Sequence, residues 1–388
     1  MWTRRVGSVL ALVVALPLLG MHGCDRPPGR PGPPDPPRAE AAVRLNEVQV
    51  LGTHNSYHVE PEPPLLEALR GVIGAEADTL EYTHRPLTEE LDAGVRQIEL
   101  DAFLDDPGGG RYASPRLAPL LGLEPVDPRL REPGIKVIHV QEVDYRSTCP
   151  TLVECLTQLR AWSDAHPRHL PIVVQIEPKD DPIPDPGLGF VTPIPWTADG
   201  FAALEAEIRS VFPEPGRVIT PGDVQGRART LRQAVERGRW PTLARARGQV
   251  LFLLDDGGEE RATYRSLHPD PRDRLIFVSA APPDDDAAMV VVNDPVGEAD
   301  RIRRLVADGF VVRTRADADT IEARTGDTAR QEAAWASGAQ LVSTDYPFPE
   351  DRFGTGYVAA VPGDGVARCS PVSGTPRCHQ AERSIGRG

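Results

Sequence analysis

Four short apolar segments in the first half of the sequence each lead into residues that could bind a metal ion or transfer a proton. In chain order these residues are His54, Asn55, Glu99, Asp101, His139 and Glu177. Imidazole exchanges a proton near neutral pH, and carboxylate and amide oxygens are the ligands that hard cations prefer. Each residue alone is common at a strand end, so the functional interpretation depends on their occurring together in consecutive segments.

The acidic residues among them favour a cation site. Glu99 and Asp101 are two residues apart in "QIELDAF", so in a strand their side chains point to the same side. Two neighbouring carboxylates repel each other unless a positive charge lies between them. With Glu177 and the amide oxygen of Asn55 they form an all-oxygen set, which suits Ca²⁺ or Mg²⁺. Zn²⁺ stays possible because histidines are also present.

The elements that must position these residues alternate along the chain. Helical character is found at 151–166, 199–211, 297–308 and 327–337, between eight apolar runs. The runs are "EVQVLGT", "VRQIELDAF", "IKVIHV", "PIVVQIEP", "QVLFLLDD", "RLIFVSA", "FVVRTRA" and "AQLVSTDY". Such alternation indicates parallel strands covered by helices. Eight strands over roughly 300 residues predict an α/β fold, a TIM-type (β/α)8 barrel that forms a single catalytic domain.

The barrel hypothesis explains why a core strand would end in His54 and Asn55. In a TIM-type barrel the carboxyl ends of the strands form the active-site face. Strands one to four of the predicted barrel all end in the residues named above, so these side chains are expected to meet at one mouth.

The N-terminus has the features of an export signal. Arg4 and Arg5 precede a short apolar run, and Gly23 and Cys24 resemble a bacterial lipoprotein cleavage site. An ordinary cleaved signal, with Cys24 incidental, is the alternative. We therefore predict a signal peptide over 1–24 and a proline-rich tether over 25–42. The barrel is predicted over 43–360 and a C-terminal tail over 361–388.

The remaining cysteines support export to an oxidising compartment. They fall into two local pairs, Cys149 with Cys155 and Cys369 with Cys378. Local pairing is the most economical of the three possible connectivities, and neither spacing is the CxxC of many metal sites. We expect two disulfides, one of them in the C-terminal tail, and an exported protein that is either a cell-envelope lipoprotein or secreted.

Charge excludes some partners. The chain has 57 acidic and 43 basic residues and a net charge of -14. This balance argues against a nucleic-acid partner and against electrostatic binding to an anionic membrane. The expected partners are a phosphodiester substrate and a membrane surface reached through a lipid anchor.

Four motifs, "LGTHNSYH", "GVRQIELDAF", "IKVIHV" and "PIVVQIEPKD", together resemble the catalytic barrel of phosphoinositide-specific phospholipase C. The resemblance is strongest to the small, secreted, calcium-dependent bacterial enzymes and covers about residues 45–346. It implies Ca²⁺ as cofactor. The ligands that it implies are Asn55, Glu99, Asp101 and Glu177.

The resemblance also implies a reaction. A phosphatidylinositol-type phospholipid would be cleaved to diacylglycerol and a cyclic inositol phosphate. His139 would protonate the leaving glycerol oxygen, and His54 would stabilise the pentavalent phosphorus. The proton acceptor for the attacking hydroxyl stays open between a carboxylate such as Glu99 and a histidine. Weaker candidates for contacts with the substrate are Lys179, Asp345 and Tyr346.

Two alternatives compete with this reading. A glycerophosphodiester phosphodiesterase-like or sphingomyelinase D-like barrel shares the fold and the phosphodiester chemistry, but the long spacing between Asp101 and His139 favours phospholipase C. A non-catalytic binding lipoprotein is the alternative from another class. Loss of either histidine would be its mark, and both are present.

Overall fold

The computed structural model describes residues 40–123 and 125–386. The predicted signal peptide with Cys24, and residues 25–39 of the predicted tether, lie outside the described residues. Each described helix is too short or too polar to span a bilayer.

The described strands form one sheet that curls into a barrel. They are β1 Val48–Thr53, β2 Gln97–Phe103, β3 Lys136–Val137, β4 Ile172–Pro178, β5 Val250–Leu254, β6 Phe277–Val278, β7 Met289–Val291, β8 Val311–Arg315, β9 Leu341–Thr344 and β10 Ala367–Cys369. Eight of them pair in the order β6-β5-β4-β2-β1-β9-β8-β7. The parallel bridge between Ser279 and Met289 brings the two ends of this order together. The predicted TIM-type barrel is confirmed.

Helices cover the outside of the barrel. They are α1 Pro63–Ile73, α2 Leu87–Asp92, α3 Leu152–Ala165, α4 Ala198–Val211, α5 Pro221–Gln225, α6 Leu231–Glu236, α7 Leu243–Ala246, α8 Glu259–Leu267, α9 Ala299–Ala307, α10 Ile321–Thr325, α11 Ala329–Ser337 and α12 Pro376–Ile385. All four predicted helices are present, as α3, α4, α9 and α11. The side chains of Thr151 and Thr197 accept backbone hydrogen bonds at the first turns of α3 and α4, which is why those helices start there.

Short 3₁₀ segments complete the described secondary structure. They are Glu40–Ala42, Leu45–Glu47, Gly74–Leu80, Pro119–Leu121, Pro128–Arg131 and Pro271–Asp273.

The third predicted strand is wrong. The run "IKVIHV" contains only the two-residue β3, which pairs antiparallel with the end of β2 and lies outside the eight-strand order. The side chain of Ile138 is buried in an apolar cluster with Phe103 and Leu130. The run "IKVIHV" is therefore apolar because it is buried beneath a loop. Hydrophobic periodicity alone does not distinguish such a buried loop segment from a strand.

One barrel strand was not predicted from the sequence. β7 is three residues long and directly follows the acidic loop 284–288. It pairs in parallel with β8 and lies between β6 and β8 in the barrel, whereas "IKVIHV" was expected between β2 and β4, which pair directly with each other. The predicted number of strands was right only because one error offset the other.

The C-terminal segment and one of the two disulfides brace the start of the barrel. β10 pairs antiparallel with β1, Cys369 opposite Val48. The predicted bonds Cys149–Cys155 and Cys369–Cys378 are both formed. The second bond ties β10 to α12, so the predicted tail 361–388 packs against β1.

Replacing Cys369 and Cys378 by serine is expected to lower the free energy of unfolding by about 2–3 kcal/mol. A disulfide that closes a loop of this length restricts the unfolded chain by about that amount. Urea denaturation of the oxidised variant and of the oxidised wild type measures the difference. Equal midpoints would contradict the prediction.

Candidate active site

The carboxyl ends of four barrel strands bring polar and charged side chains to one mouth. His54 and Asn55 follow β1, and Asp255 and Asp345 directly follow β5 and β9. Glu177 lies in the last two residues of β4. Because these strands run parallel, their ends meet at the same face of the barrel. This face is the candidate active site.

Three carboxylates form the centre of the site. Oxygens of Glu99, Glu177 and Asp255 lie within 4.8 Å of one another. Gln175 Nε2 donates to Asp255 Oδ2 at 2.7 Å. Burial, and then the charge of Glu99, raises the pKa of Asp255 to about 7. Asp255 was not among the residues predicted from the sequence, although it is the penultimate residue of the run "QVLFLLDD", as Glu177 is of "PIVVQIEP".

Lys179 lies between two of the acids. Its Nζ is 2.5 Å from Glu177 Oε1 and 3.2 Å from Asp101 Oδ2. Burial opposes its charge, but the two carboxylates outweigh burial and raise the pKa of Lys179. The pKa of buried Asp101 is raised to about 7, first by burial. Lys179, predicted as a substrate contact, is therefore an internal counter-ion of the acidic cluster.

Two buried oxygens fit a metal ion. Asn55 has a left-handed backbone, with φ 46°, and its Nδ2 donates to Tyr82 Oη at 3.1 Å. Its Oδ1 is buried and has no hydrogen-bond partner among the described residues, and the same holds for Asp101 Oδ1. A buried oxygen without a partner is costly. Oxygens of this kind beside three further carboxylates are the donor set that Ca²⁺ prefers.

A buried arginine holds Glu99. Arg313, on β8, pairs with Glu99 Oε2 and donates to Ser343 Oγ at 3.1 Å. The other carboxylate oxygen, Oε1, lies 3.9 Å from His54 Nε2. Glu99 is thus positioned from two sides, with one oxygen engaged by a permanent positive charge.

His54 is held in its neutral form. Its Nδ1 donates to Asp345 Oδ1 at 2.8 Å, and Arg315 donates to Nε2 at 3.3 Å. Burial, followed by the charge of Arg315, places the pKa of His54 well below its ordinary value despite the opposing effect of Asp345. A ring with a proton on Nδ1 and a lone pair on Nε2 can accept a proton at Nε2.

Asp345 and Tyr346 do not act alike. Asp345 Oδ2 accepts from Arg315 at 2.6 Å. Burial opposes ionisation, but Arg315 and His54 outweigh it and hold the pKa of Asp345 well below its ordinary range. Asp345 therefore orients His54. The next residue, Tyr346, is buried and packs edge-on against Tyr357, so the structure does not place it in contact with a ligand at the mouth.

His139 reaches the site from the loop after β3, not from a strand end. Its Nδ1 lies 2.7 Å from Asp144 Oδ2, and the same oxygen lies 2.8 Å from His58 Nε2. Burial opposes the charged ring, but the hydrogen bond and the charge of Asp144 raise the pKa of His139. His139 is therefore favoured as a protonated group.

The two histidines share the mouth. The rings of His54 and Tyr82 have centroids 6.4 Å apart, Tyr82 stacks on His58 at 4.1 Å, and His58 lies 5.7 Å from His139. His58 Nδ1 also contacts the backbone oxygen of Tyr82 at 3.0 Å. His54 and His139 thus lie on either side of a short row of buried rings, next to the carboxylate cluster.

Comparison with known proteins agrees with this arrangement. The sequence model of the family described as "Phosphoinositide phospholipase C, Ca2+-dependent" matches residues 43–371. This chain belongs to that family. The family is one of phosphodiesterases of the phospholipase C type, and Ca²⁺ is its cofactor. Of the activities weighed from the sequence, phospholipase C is therefore retained.

Solved structures show the same fold. The chain is similar to the calcium-dependent phosphoinositol-specific phospholipase C of a Pseudomonas sp, with 16% identity and a TM-score of 0.52 over 86% of this chain and 98% of that one. A myoinositol complex of the Pseudomonas enzyme is 17% identical, with a TM-score of 0.52 over 86% of this chain and 98% of that one. The Ca²⁺-dependent phosphatidylinositol-specific phospholipase C of Streptomyces antibioticus is 19% identical, with a TM-score of 0.50 over 78% of this chain and 95% of that one. A search of curated proteins gave no significant match.

Proposed function

We propose that this chain is a Ca²⁺-dependent phospholipase C that cleaves phosphatidylinositol-type lipids to diacylglycerol and a cyclic inositol phosphate. One observation carries the proposal: two histidines, each with an aspartate carboxylate at its Nδ1, share a mouth with a carboxylate cluster. The myoinositol complex of the Pseudomonas neighbour supports an inositol headgroup.

The proposed Ca²⁺ ligands are those implied by the sequence, joined by one more residue. They are Asn55, Glu99, Asp101, Glu177 and Asp255. When bound there, Ca²⁺ would neutralise charge on the phosphate and lower the pKa of an inositol hydroxyl. The unpartnered oxygens of Asn55 and Asp101 and the short distances within the carboxylate cluster support this assignment.

We assign the proton acceptor to His54. Its Nδ1 donates to Asp345, so Nε2 carries a lone pair, which accepts a long hydrogen bond of 3.3 Å from Arg315, and burial followed by the charge of Arg315 lowers the pKa of the ring. Glu99 suits this role less because Arg313 already engages one of its oxygens. A neutral ring also supplies no full charge to a pentavalent phosphorus, the role first expected of His54.

His139 supplies the proton for the leaving group. The inositol hydroxyl attacks phosphorus, a new P–O bond forms, and the P–O bond to glycerol breaks. His54 takes the proton of the hydroxyl, and His139, whose pKa Asp144 raises against the effect of burial, gives one to the glycerol oxygen. A proton acceptor and a proton donor placed at the same site are what general acid–base catalysis requires.

Product analysis tests the proposal. Purified protein is expected to convert phosphatidylinositol to diacylglycerol and a cyclic phosphate, detected by ³¹P NMR, with Ca²⁺ present and not with excess chelator. Phosphatidylcholine and glycerophosphoinositol are the comparison substrates. Faster turnover of glycerophosphoinositol would favour a glycerophosphodiesterase, and full activity in chelator would remove Ca²⁺ from the mechanism.

Replacing Glu177 by glutamine is expected to weaken Ca²⁺ binding by about tenfold or more, because the site loses a full negative charge and an anionic oxygen ligand. Calorimetric titration with Ca²⁺, without substrate, measures the affinity. Glu67, whose side chain is 79% exposed on α1, provides the matched Glu→Gln control and should bind Ca²⁺ as the wild type does. Equal affinity in both variants would remove Glu177 from the proposed ligands.

We also propose that the protein is exported. The two disulfides support an oxidising compartment. Attachment through Cys24 concerns a residue outside the described part of the chain and stays a prediction, which mass spectrometry of the mature protein checks through a lipid-modified N-terminal cysteine.

A further inference from the structure

A second charged cavity lies away from the proposed active site. Its volume is about 770 Å³. The lining includes five arginines: Arg44, Arg227, Arg237, Arg239 and Arg245. We call it the arginine cavity.

The arginine cavity opens at the opposite end of the barrel from the histidines. Arg44 precedes β1, and Gln249, which also lines the cavity, directly precedes β5. The proposed catalytic mouth lies at the other ends of the same strands, at His54 and Asp255. A strand rises about 3.3 Å per residue, so the length of a strand separates the two sites. A ligand of the arginine cavity therefore need not compete with the lipid substrate.

Among the described residues, most of the positive charge of the cavity has no acidic partner. Four of its arginines, at 227, 237, 239 and 245, form no ion pair with any carboxylate in the described part of the chain. The carboxylate in the described lining is that of Asp223. Its Oδ2 accepts from the backbone nitrogen and the hydroxyl of Thr220, both at 2.9 Å, and so caps α5.

Backbone contacts hold the edge of the cavity. Arg44 Nη1 donates to the backbone oxygen of Trp240 at 2.5 Å, and Leu45 N donates to that of Pro241 at 3.1 Å. The chain before β1 is thereby fixed to the segment that carries Arg239 and Arg245. The guanidinium groups are therefore presented from a fixed backbone.

Such an arrangement has the chemistry of a phosphate site. Guanidinium groups bind phosphate oxygens through paired hydrogen bonds. Like charges around a concave surface add their potentials and attract anions. The chain as a whole carries a net charge of -14, so this concentration of arginines is not a consequence of a basic composition. The volume is much larger than one phosphate group requires.

We propose that the arginine cavity binds a ligand with two or more phosphate groups, either a soluble phosphorylated compound or the phosphorylated headgroup of a lipid. The two sources share the chemistry that the cavity recognises, and the experiment separates them. The proposal is independent of the proposed catalytic function.

The test uses the full chain in chelator, so that Ca²⁺ does not bridge phosphate to the acidic cluster. Calorimetric titration with myo-inositol hexakisphosphate reports soluble binding. Sedimentation with phosphatidylcholine vesicles, with and without phosphatidylinositol 4,5-bisphosphate, reports headgroup binding. The cavity variant is R239Q/R245Q. The matched control is R304Q/R377Q, which removes the same charge from two exposed arginines outside the cavity lining that form no ion pair in the described part of the chain.

The cavity variant is expected to bind at least about tenfold more weakly than the wild type, whereas the control stays near the wild-type affinity. Both variants should keep the wild-type kcat on phosphatidylinositol. Loss confined to the hexakisphosphate arm would indicate a soluble ligand, and loss confined to the vesicle arm would indicate a lipid headgroup. Absence of binding in both arms, or equal loss in the cavity variant and the control, would overturn the proposal.

Discussion

Replacing His139 by alanine is expected to lower kcat/KM on phosphatidylinositol by ~10²–10⁴-fold, the usual contribution of one positioned acid. The variant should recover much of its rate on a substrate with an aryl leaving group of low pKa, because such a group leaves without being protonated. Kinetics on phosphatidylinositol and on an aryl inositol phosphodiester measure both effects.

His54→Ala is expected to lose a similar factor but not to recover on the aryl substrate. The proposed role of His54 is to accept the proton of the attacking hydroxyl, and that step is the same for both substrates. His379→Ala is the control, since this histidine is 54% exposed on α12, and it should retain full activity. Equal recovery of both variants would show that the acid and the proton acceptor have been assigned wrongly.

The barrel could be predicted because most of its strands are short apolar runs that alternate with helical segments along the chain. The prediction failed where that signal is not specific. "IKVIHV" is apolar because Ile138 is buried beneath a loop, and β7 is too short to stand out beside an acidic segment. An apolar run indicates that a segment is buried, and it does not show whether the segment pairs as a strand.

The sequence was sufficient to name candidate residues in or directly after individual apolar runs, but not the residues that contact them. The partners that set their charge come from distant parts of the chain. Arg313 pairs with Glu99 across 214 positions of sequence, and Arg315 contacts His54 across 261. A signal did exist, because two arginines spaced by two in the apolar run "FVVRTRA" point to the same side of a strand. Buried arginines on one side of a strand indicate buried acidic partners.

Asp144 shows why a missed residue matters for the mechanism. It is buried, and its Oδ2 contacts both His139 and His58. In the protonated ring of His139, the carboxylate accepts a hydrogen bond from the Nδ1 proton. The second proton, on Nε2, is then the one that the ring can give to a ligand. It also raises the pKa of His139 against the effect of burial. Asp144 is therefore proposed as a positioning residue that acts through His139.

Asp144→Asn is accordingly expected to lower kcat by about 10²-fold, the lower end of what one positioned acid contributes, because His139 loses the carboxylate that orients it and raises its pKa. The pH profile should move as well. A general acid works only while protonated, so activity falls as the pH rises through its pKa. Without the charge of Asp144 the pKa of His139 is lower, and the alkaline limb of the profile should move to lower pH.

The double variant H139A/D144N separates a role through His139 from a merely structural one. If Asp144 acts through His139, the double variant should be no slower than His139→Ala alone, because the second substitution removes support for a group that is already absent. Its activity on the aryl substrate should recover as that of His139→Ala does. Additive losses, or an unchanged pH profile in Asp144→Asn at an unchanged melting temperature, would contradict this role. In that case the raised pKa of His139 would have no part in the proton transfer to the leaving group.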